Sequence, residues 1–270
     1  MSTVGSIWTT RLAVADMSDR KGIAVVIGAS HGIGLAMVRD LLTRPQVRRV
    51  YAASRQALLS DELSTLASDQ GERLQILSVD STREADIVRL ANEVRERDQR
   101  LHWLINCAGV LHDSGRNIRP EKRLEHVDTA QLEALFRLNA FAPILLAKHF
   151  LPLLNHDQPA CFASLSARVG SIADNQLGGW YSYRASKAAQ NQFIRTLAIE
   201  AQRRAPNLTC LALHPGTTDT GLSKPFQKNV TAGKLFSPAY VAGHLLDLVF
   251  TRPATDSGRF LAWDGSDIPW

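Results

Sequence analysis

The stretch IAVVIGASHGIG, residues 23–34, joins an apolar run to a loop that contains Gly28, Gly32 and Gly34. A nearly continuous apolar run of this length favours a strand that is covered on both faces. Glycines directly after it permit a tight turn and let the backbone approach a phosphate closely. The helix that follows offers free N–H groups and the positive end of its dipole to the same anion. The stretch therefore predicts a first strand, a phosphate-binding loop and a first helix.

The alternation of apolar runs with helical patterns continues along the chain. Strands are predicted at 23–28, 50–54, 74–79, 102–106, 160–166, 208–213 and 259–263. Helices are predicted at 34–43, 83–98, 129–154, 183–204 and 238–250. This order predicts an α/β fold in which a doubly wound, mostly parallel sheet of about seven strands carries helices on both faces. We expect one domain over 21–270 and a flexible N-terminal tail over 1–20, which lacks the pattern of a signal peptide.

The composition argues against several kinds of partner. The net charge is +5, but basic and acidic residues alternate, as in RPEKRLEH at 119–126. We interpret these charges as solvated surface and predict no nucleic-acid partner. No apolar run approaches the roughly 18 residues of a membrane span, and no histidine pattern typical of a metal site occurs. Cys107, Cys161 and Cys210 lie far apart in apolar runs, which is typical of buried, reduced thiols in a cytoplasmic protein.

Two long polar segments, 110–128 and 216–237, follow the fourth and sixth predicted strands. Ligands of open parallel sheets bind at the carboxyl ends of the strands. We therefore expect both segments to line a site, with ordinary surface loops as the alternative. Leu235, Phe226 and Phe236 suggest an apolar lining, although they could equally cover the core.

The helical stretch YSYRASKAA, residues 181–189, places Tyr183 and Lys187 four residues apart and hence on one face, which Tyr181 does not share. A free phenol has a pKa near 10 and is a poor acid or base at neutral pH. A neighbouring ammonium favours the phenolate and lowers that pKa, which suits proton transfer. The alternative is an amphipathic helix with an exposed tyrosine.

Further motifs follow the predicted strands in a fixed order. They are Asp80 after the third strand, NCAG at 106–109, Asn139 in LFRLNAFAP, serines after the fifth strand, and HPGTTDT at 214–220. Together with GASHGIG and YRASK, this order resembles the short-chain dehydrogenases/reductases over about residues 21–270. RPEKRLEH, GSIADN and the ending GRFLAWDGSDIPW are similar to the C-factor-like and sniffer-like carbonyl reductase branch.

The resemblance implies a Rossmann-like three-layer sandwich that transfers hydride between a nicotinamide cofactor and a small-molecule carbonyl or secondary alcohol. It makes Tyr183 the general acid/base, and it makes Lys187 a ligand of the nicotinamide ribose that lowers the tyrosine pKa. Asn139 is implied to hold a water in a proton relay, and a serine to bind the substrate carbonyl. It also implies a homodimer or homotetramer that packs through helices at 130–154 and 183–204. The alternative is a regulatory protein of the same branch that binds the cofactor with little or no catalysis.

The residues predicted to contact the cofactor come from the glycine loop, from the strand ends and from the loop after the sixth strand. They are Gly28, Ser30, His31, Gly32, Ile33, Gly34, Ser54, Arg55, Asp80, Asn106, Ala108, Gly109, Tyr183, Lys187, Pro215, Gly216, Thr218 and Thr220. At NCAG, small side chains let the nicotinamide ribose lie against the strand end.

Two positions depart from the family pattern. Ile27 stands where a threonine is usual, which removes a hydroxyl from the turn. The substrate-binding serine is expected three residues before Gly170, where this chain has Ala167. We assign the role to the neighbouring Ser166, and Ser171 and Ser164 remain alternatives.

The end of the second predicted strand indicates which cofactor is preferred. An acidic residue at this point binds the ribose hydroxyls of NAD and repels the 2′-phosphate of NADP. No acid occurs between Val50 and Ser60, and Ser54 and Arg55 occupy this stretch instead. A hydroxyl and a guanidinium suit a phosphate. We predict that NADP(H) is preferred, with NAD(H) also possible; a solvated surface role for Arg55 is the alternative.

Overall fold

The computed structural model describes residues 21–270, so the tail predicted over 1–20 lies outside the described residues. Within that range the strands are β1 Gly22–Ile27, β2 Val47–Ser54, β3 Leu74–Ser78, β4 Trp103–Asn106, β5 Ala160–Leu165, β6 Leu208–His214, β7 Thr217–Thr218, β8 Leu235–Phe236 and β9 Arg259–Ala262. Seven of them form one parallel sheet in the order β3-β2-β1-β4-β5-β6-β9, and β7 pairs with β8 separately. The predicted sheet is confirmed.

Helices cover both faces of this sheet. They are α1 Gly32–Thr43, α2 Asp61–Gln70, α3 Glu84–Asp98, α4 Thr129–Phe136, α5 Ala142–Leu154, α6 Tyr181–Arg204 and α7 Pro238–Thr251. One core contains Met37, Leu63 and Leu245, from α1, α2 and α7. The other contains Ile87, Leu146 and Ile194, from α3, α5 and α6. Because each face has its own core, the central strands β1, β5 and β6 are buried on both sides, as their continuous apolar sequence predicts.

None of the helices named from the sequence pattern lies between the second and third strands, where the structure has α2. Leu63 is its only buried residue, so its apolar periodicity is weak. The signal that identifies it is at its start, where the Ser60 side chain accepts a hydrogen bond from the Leu63 amide and Asp61 and Glu62 occupy the first turn.

The single helix predicted over 129–154 is interrupted. A π-helical turn, Arg137–Phe141, separates α4 from α5, and the Ala142 amide donates to the Arg137 carbonyl. Pro143, near the start of α5, cannot supply the amide proton that a regular helix would give to the carbonyl of Asn139. Such single π-turns are frequent at functional sites, and this one carries Asn139.

Within the described residues, Thr129–Leu154 is long and apolar enough by composition to cross a membrane. In the most apolar window of this stretch, 44% of the residues are buried inside the protein. Leu146, Phe150 and Leu153 pack into the core described above. The apolar character of this stretch is therefore accounted for by its place against the sheet.

The order of the sheet reverses between β1 and β4, because the chain builds outward to β3 from β1 and then returns to β4 on the other side. Ile27, Asn106 and Ser164 are aligned across β1, β4 and β5 at the carboxyl ends of these strands. Crevices at such a reversal are the usual ligand sites of open α/β sheets.

Candidate active site

Two neighbouring cavities open at the carboxyl ends of the strands. The larger, of about 380 Å³, lies between the glycine loop, the ends of β4, β5 and β6, the start of α6 and the loop that follows β6. The smaller, of about 110 Å³, lies between the glycine loop and the ends of β2 and β3. Gly28, His31, Cys107, Ala108 and Gly109 line both cavities, so the two form one continuous groove.

The glycine loop leaves no room for side chains at two positions. A Cβ on Gly34 would lie 2.1 Å from the Gly28 carbonyl oxygen. Gly28 has a φ of +79°, and its Cβ would lie 2.9 Å from the Ala108 amide nitrogen. Because these glycines are required by the backbone itself, the loop presents main-chain groups to the cavity at the start of α1.

Most of the predicted cofactor residues lie along this groove. The larger cavity is lined by Gly28, His31, Gly32, Ile33, Gly34, Ala108, Gly109, Tyr183, Lys187, Pro215, Gly216, Thr218 and Thr220. Ser30, Ser54, Arg55 and Asp80 line the smaller one.

Asn106 is the exception among these residues, because it lines neither cavity. It is fully buried; its side chain donates to the Ser164 hydroxyl at 2.9 Å and accepts from the Ala108 amide at 3.3 Å. This side chain braces the loop from beneath, and the contact between Asn106 and the cofactor stays a prediction.

Tyr183 and Lys187 lie side by side on α6 and both line the larger cavity, whereas Tyr181 is exposed outside it. The Lys187 ammonium lies 6.0 Å from the centroid of the Tyr183 ring. Burial raises the pKa of Tyr183 above its ordinary value and lowers the pKa of Lys187 to about 7. The geometry therefore brings the pair together, but in this arrangement burial moves the tyrosine pKa opposite to the predicted direction.

Asn139 is buried behind these two residues, at the π-helical turn. Its side-chain oxygen accepts from the Val110 amide at 2.8 Å, and its nitrogen donates to the Val110 carbonyl at 2.8 Å and to the Ser186 hydroxyl at 3.1 Å. The side chain thus clips the loop after β4 to α6. Because the Asn139 side chain is occupied by these contacts, the place left for the predicted water is the backbone carbonyl of Asn139. Pro143, four residues later, has no amide proton to donate to it.

The structure distinguishes the candidate serines by position. Ser166 follows β5 and lines the larger cavity, together with Ala167. Its hydroxyl donates to the side-chain oxygen of Asn191 at 2.6 Å. Ser164 and Ser171 are buried outside the cavity, where Ser171 donates to the Trp270 carbonyl at 3.3 Å.

The smaller cavity has the features expected for a phosphorylated ribose. The hydroxyl oxygen of Ser54 is buried and has no hydrogen-bond partner among the described residues. Arg55 is exposed beside it. An orphaned hydroxyl with a neighbouring guanidinium offers hydrogen bonds and positive charge to an anion. Asp80 also lines this cavity, but one of its carboxylate oxygens is occupied by the Thr82 amide and hydroxyl.

The larger cavity has an aromatic wall, of which Trp180 has no clear signal in the sequence. The Trp180 ring lies 5.0 Å from the Phe226 ring and 6.3 Å from the Tyr183 ring, between centroids. Trp180 has a φ of +52°, a conformation that is rare for a bulky residue. Of the apolar residues suggested by the sequence, Phe226 lines the cavity, whereas Phe236 stacks on Tyr240 instead.

Comparison with known proteins agrees with this geometry. The family model for short chain dehydrogenases matches residues 22–231. C-signal of Myxococcus xanthus is 33% identical over 147 residues, which cover 54% of this chain and 83% of that protein. The NADPH-bound carbonyl reductase from chicken fatty liver has a TM-score of 0.81 at 29% identity and covers 93% of this chain and 100% of its own. The carbonyl reductase Sniffer of D. melanogaster has a TM-score of 0.80 at 26% identity, and the match covers 93% of this chain and 99% of that one.

The family model spans most of the chain, and it includes the glycine loop, the strand reversal and the Tyr183–Lys187 pair. This chain therefore belongs to the short-chain dehydrogenase/reductase family.

Proposed function

We propose that this enzyme is an NADP(H)-dependent reductase of carbonyl compounds that uses Tyr183 as its general acid/base. The observation that carries the proposal is the meeting of Tyr183, Lys187 and Ser166 in one cavity with the glycine loop. The solved relatives described above are carbonyl reductases, and the chicken enzyme binds NADPH. A reductase with a small-molecule substrate is the function that accounts for all of these features.

The residues present fit the cofactor. The glycine loop excludes side chains where a pyrophosphate must approach the backbone, and Ser54 presents a buried hydroxyl without a partner. Arg55 supplies positive charge at the same place. NADPH, when bound, supplies the hydride. We retain NADP(H) as the preferred cofactor because the described lining of the smaller cavity next to Ser54 offers a guanidinium where an NAD-binding protein has an acid.

The protein's own groups then handle the proton and the developing negative charge. Tyr183 donates its phenolic proton to the carbonyl oxygen. Positive charge that comes close to the phenol favours release of this proton, which burial alone opposes. Ser166 donates a hydrogen bond to the same oxygen once its hydroxyl turns from Asn191. The aromatic wall of Trp180 and Phe226 favours an apolar substituent on the substrate.

The alternative, a regulatory protein with little catalysis, is favoured by one observation. The position where the family pattern expects a serine is Ala167, and the hydroxyl of its neighbour Ser166 is engaged by Asn191. The similarity to C-signal, a relative whose name denotes a signal, also supports this alternative. We also retain a homodimer or homotetramer through α4, α5 and α6 as a prediction.

One experiment separates the two functions. The purified protein is incubated with NADPH and a panel of aliphatic and aromatic aldehydes and ketones, and oxidation is followed at the absorbance of the reduced nicotinamide. A reductase consumes NADPH only when a carbonyl is present. A regulatory protein binds NADPH, as the fluorescence of NADPH reports, but does not oxidise it with any aldehyde or ketone of the panel.

A further inference from the structure

A buried polar network beneath the larger cavity ends at the Lys187 ammonium. The ammonium donates to the Leu165 carbonyl at 2.8 Å and to the side-chain oxygen of Gln190 at 2.9 Å. Gln190 is fully buried, and its amide nitrogen donates to the Ser164 hydroxyl at 3.0 Å and to the Leu165 carbonyl at 3.1 Å. Asn106 donates to the same Ser164 hydroxyl. The network therefore joins β4, β5 and α6.

The orientation of the Gln190 amide follows from its neighbours. A glutamine amide has one end that donates and one end that accepts. The Leu165 carbonyl can only accept, so the donating end must face β5. The accepting end is then directed at Lys187, which can only donate. A buried amide held in this way has one low-energy orientation and forms a rigid support.

Three N–H groups are available on a lysine ammonium. Leu165 and Gln190 take two of them. A Cβ on Gly109 would lie 3.5 Å from the ammonium, so the nitrogen stands directly behind this cavity-lining residue. The third N–H is thus left for the cavity that Lys187 lines.

We propose that Gln190 is a positioning residue for Lys187: together with the Leu165 carbonyl it holds two of the three donors of the ammonium, so that the third is aimed into the active site. The inference rests on the proposed function of the Tyr183–Lys187 pair. It concerns a residue three positions beyond the lysine, on the buried side of α6.

The same contact favours the charged form of the lysine. Burial lowers the pKa of Lys187, and an accepting oxygen at 2.9 Å opposes this effect. The titratable groups that line the cavity around Lys187 are His31, Cys107, Arg168, Tyr183 and His214. The uncharged Leu165 carbonyl of β5 contacts the ammonium, and the uncharged Asn139 side chain of the π-helical turn lies beside Gly109, as the ammonium does.

The test compares Gln190→Leu and Gln190→Glu with the wild type and with Gln192→Leu. Gln192 is exposed on the same helix and donates to Thr196, so it serves as the matched control. The ε-carbon of Lys187 is followed by NMR in protein labelled with ¹³C-lysine, and Lys187→Arg assigns the resonance. The pH dependence of NADPH oxidation with an accepted carbonyl is measured on the same four proteins.

We expect Lys187 to titrate about one pH unit lower in Gln190→Leu and about one unit higher in Gln190→Glu, where a carboxylate faces the ammonium. The pH profile of kcat/KM should move in the same directions, and Gln192→Leu should match the wild type. A Lys187 titration that is the same in all four proteins would overturn the inference.

The two proposals fail in different ways. If the wild-type protein oxidises NADPH with none of the carbonyl compounds tested, the proposed function is refuted. The NMR titration would still decide the role of Gln190. Gln190→Glu keeps the size of the side chain, so it tests the inference even if Gln190→Leu does not fold. An active wild type with an unmoved pH profile in Gln190→Glu would refute the role of Gln190 alone.

Discussion

Tyr183 is the side chain on which the proposed reaction depends most directly, because it supplies the proton. Tyr183→Phe keeps the buried ring and removes the hydroxyl, so we expect NADPH to bind nearly as before while carbonyl reduction falls by about 10²-fold or more. Tyr181→Phe is the matched control, since Tyr181 is exposed outside the cavity. Steady-state kinetics that show Tyr181→Phe inactive and Tyr183→Phe active would reverse the assignment.

Ser166 is the serine that the geometry favours for binding the carbonyl oxygen. Removing one such donor typically lowers turnover by about 10²-fold, and we expect this loss in kcat for Ser166→Ala. Ser171→Ala should be mild, because Ser171 lies outside the cavity. Unchanged turnover in Ser166→Ala together with a large loss in Ser171→Ala would transfer the role to Ser171.

Arg55 is predicted to set the choice of cofactor. A hydrogen bond to a charged group is worth about 1.5–3 kcal/mol, so Arg55→Ala should raise the KM for NADPH about tenfold or more with little change for NADH. Arg55→Asp should move the preference toward NADH. Arg123→Ala removes a comparable exposed guanidinium elsewhere and serves as the control. Equal use of both cofactors by the unmodified protein would contradict the prediction.

Helix α6 is the element that carries most of the site, and its first turn is held by a residue from a distant loop. The carboxylate of Glu121 accepts from the Ser182 hydroxyl and, at 3.3 Å, from the Ser182 amide, next to Tyr183. The Glu121 carbonyl accepts from the Trp180 amide at 2.6 Å. Glu121 is 2% exposed, so the interpretation of RPEKRLEH as solvated surface is wrong at this residue.

Loss of this carboxylate should weaken the fold at the start of α6. Glu121→Ala leaves a buried amide and hydroxyl without their acceptor and removes a negative charge from a helix N-terminus. We expect the free energy of unfolding to fall by about 1–3 kcal/mol, measured by urea denaturation. Glu125 is exposed in the same segment, and Glu125→Ala should change it little. Equal stability of the two variants would show that the contact contributes nothing.

The elements that the sequence predicts are those with strong local patterns. The strands beneath the site are predictable because both of their faces are buried. Strand β2 begins at Val47, earlier than predicted, because Arg48 and Arg49 interrupt the apolar pattern in the sequence. In the structure their side chains pair with the buried carboxylate of Asp98. Weak amphipathicity conceals α2 in the same way.

The site is predictable only where a short motif marks it. Tyr183, Lys187 and the glycine loop are identified by their spacing and by the strands they follow. Glu121 and Gln190 are not, because each is buried against groups from another element. The pairing of buried polar groups across segments leaves no periodic trace in the sequence.

At the scale of the whole molecule, the pH dependence of stability follows from histidines that are partly buried in the folded state. Burial and the charge of Arg168 lower the pKa of His214 to about 4, and burial also lowers the pKa of His102. In the unfolded chain both have a pKa near 6.5. Below pH ~6.5 the unfolded chain therefore binds protons that the folded protein does not, and the folded state loses stability until the pH reaches the folded pKa.

We expect the free energy of unfolding to decline between pH ~6.5 and ~4, with His214 contributing about 3 kcal/mol of the loss. Thermal unfolding across this range is the measurement. His214→Asn, which keeps an acceptor for the Arg168 amide, should flatten the decline, whereas His126→Gln at an exposed site should follow the wild type. The same slope in all three proteins would contradict the assignment.

The reversal of strand order between β1 and β4 places Ser54 and Arg55 on one side of the groove and Ser166 and Trp180 on the other. The two sets belong to different segments of the chain and line different cavities, so the free-energy effects of substitutions in them should add. Substitutions on the first side should then change the cofactor preference without changing the substrate preference. Substitutions on the second side should change the substrate preference alone. The reversal of strand order thus divides the groove into two sides, and the residues of each side can be substituted without altering those of the other.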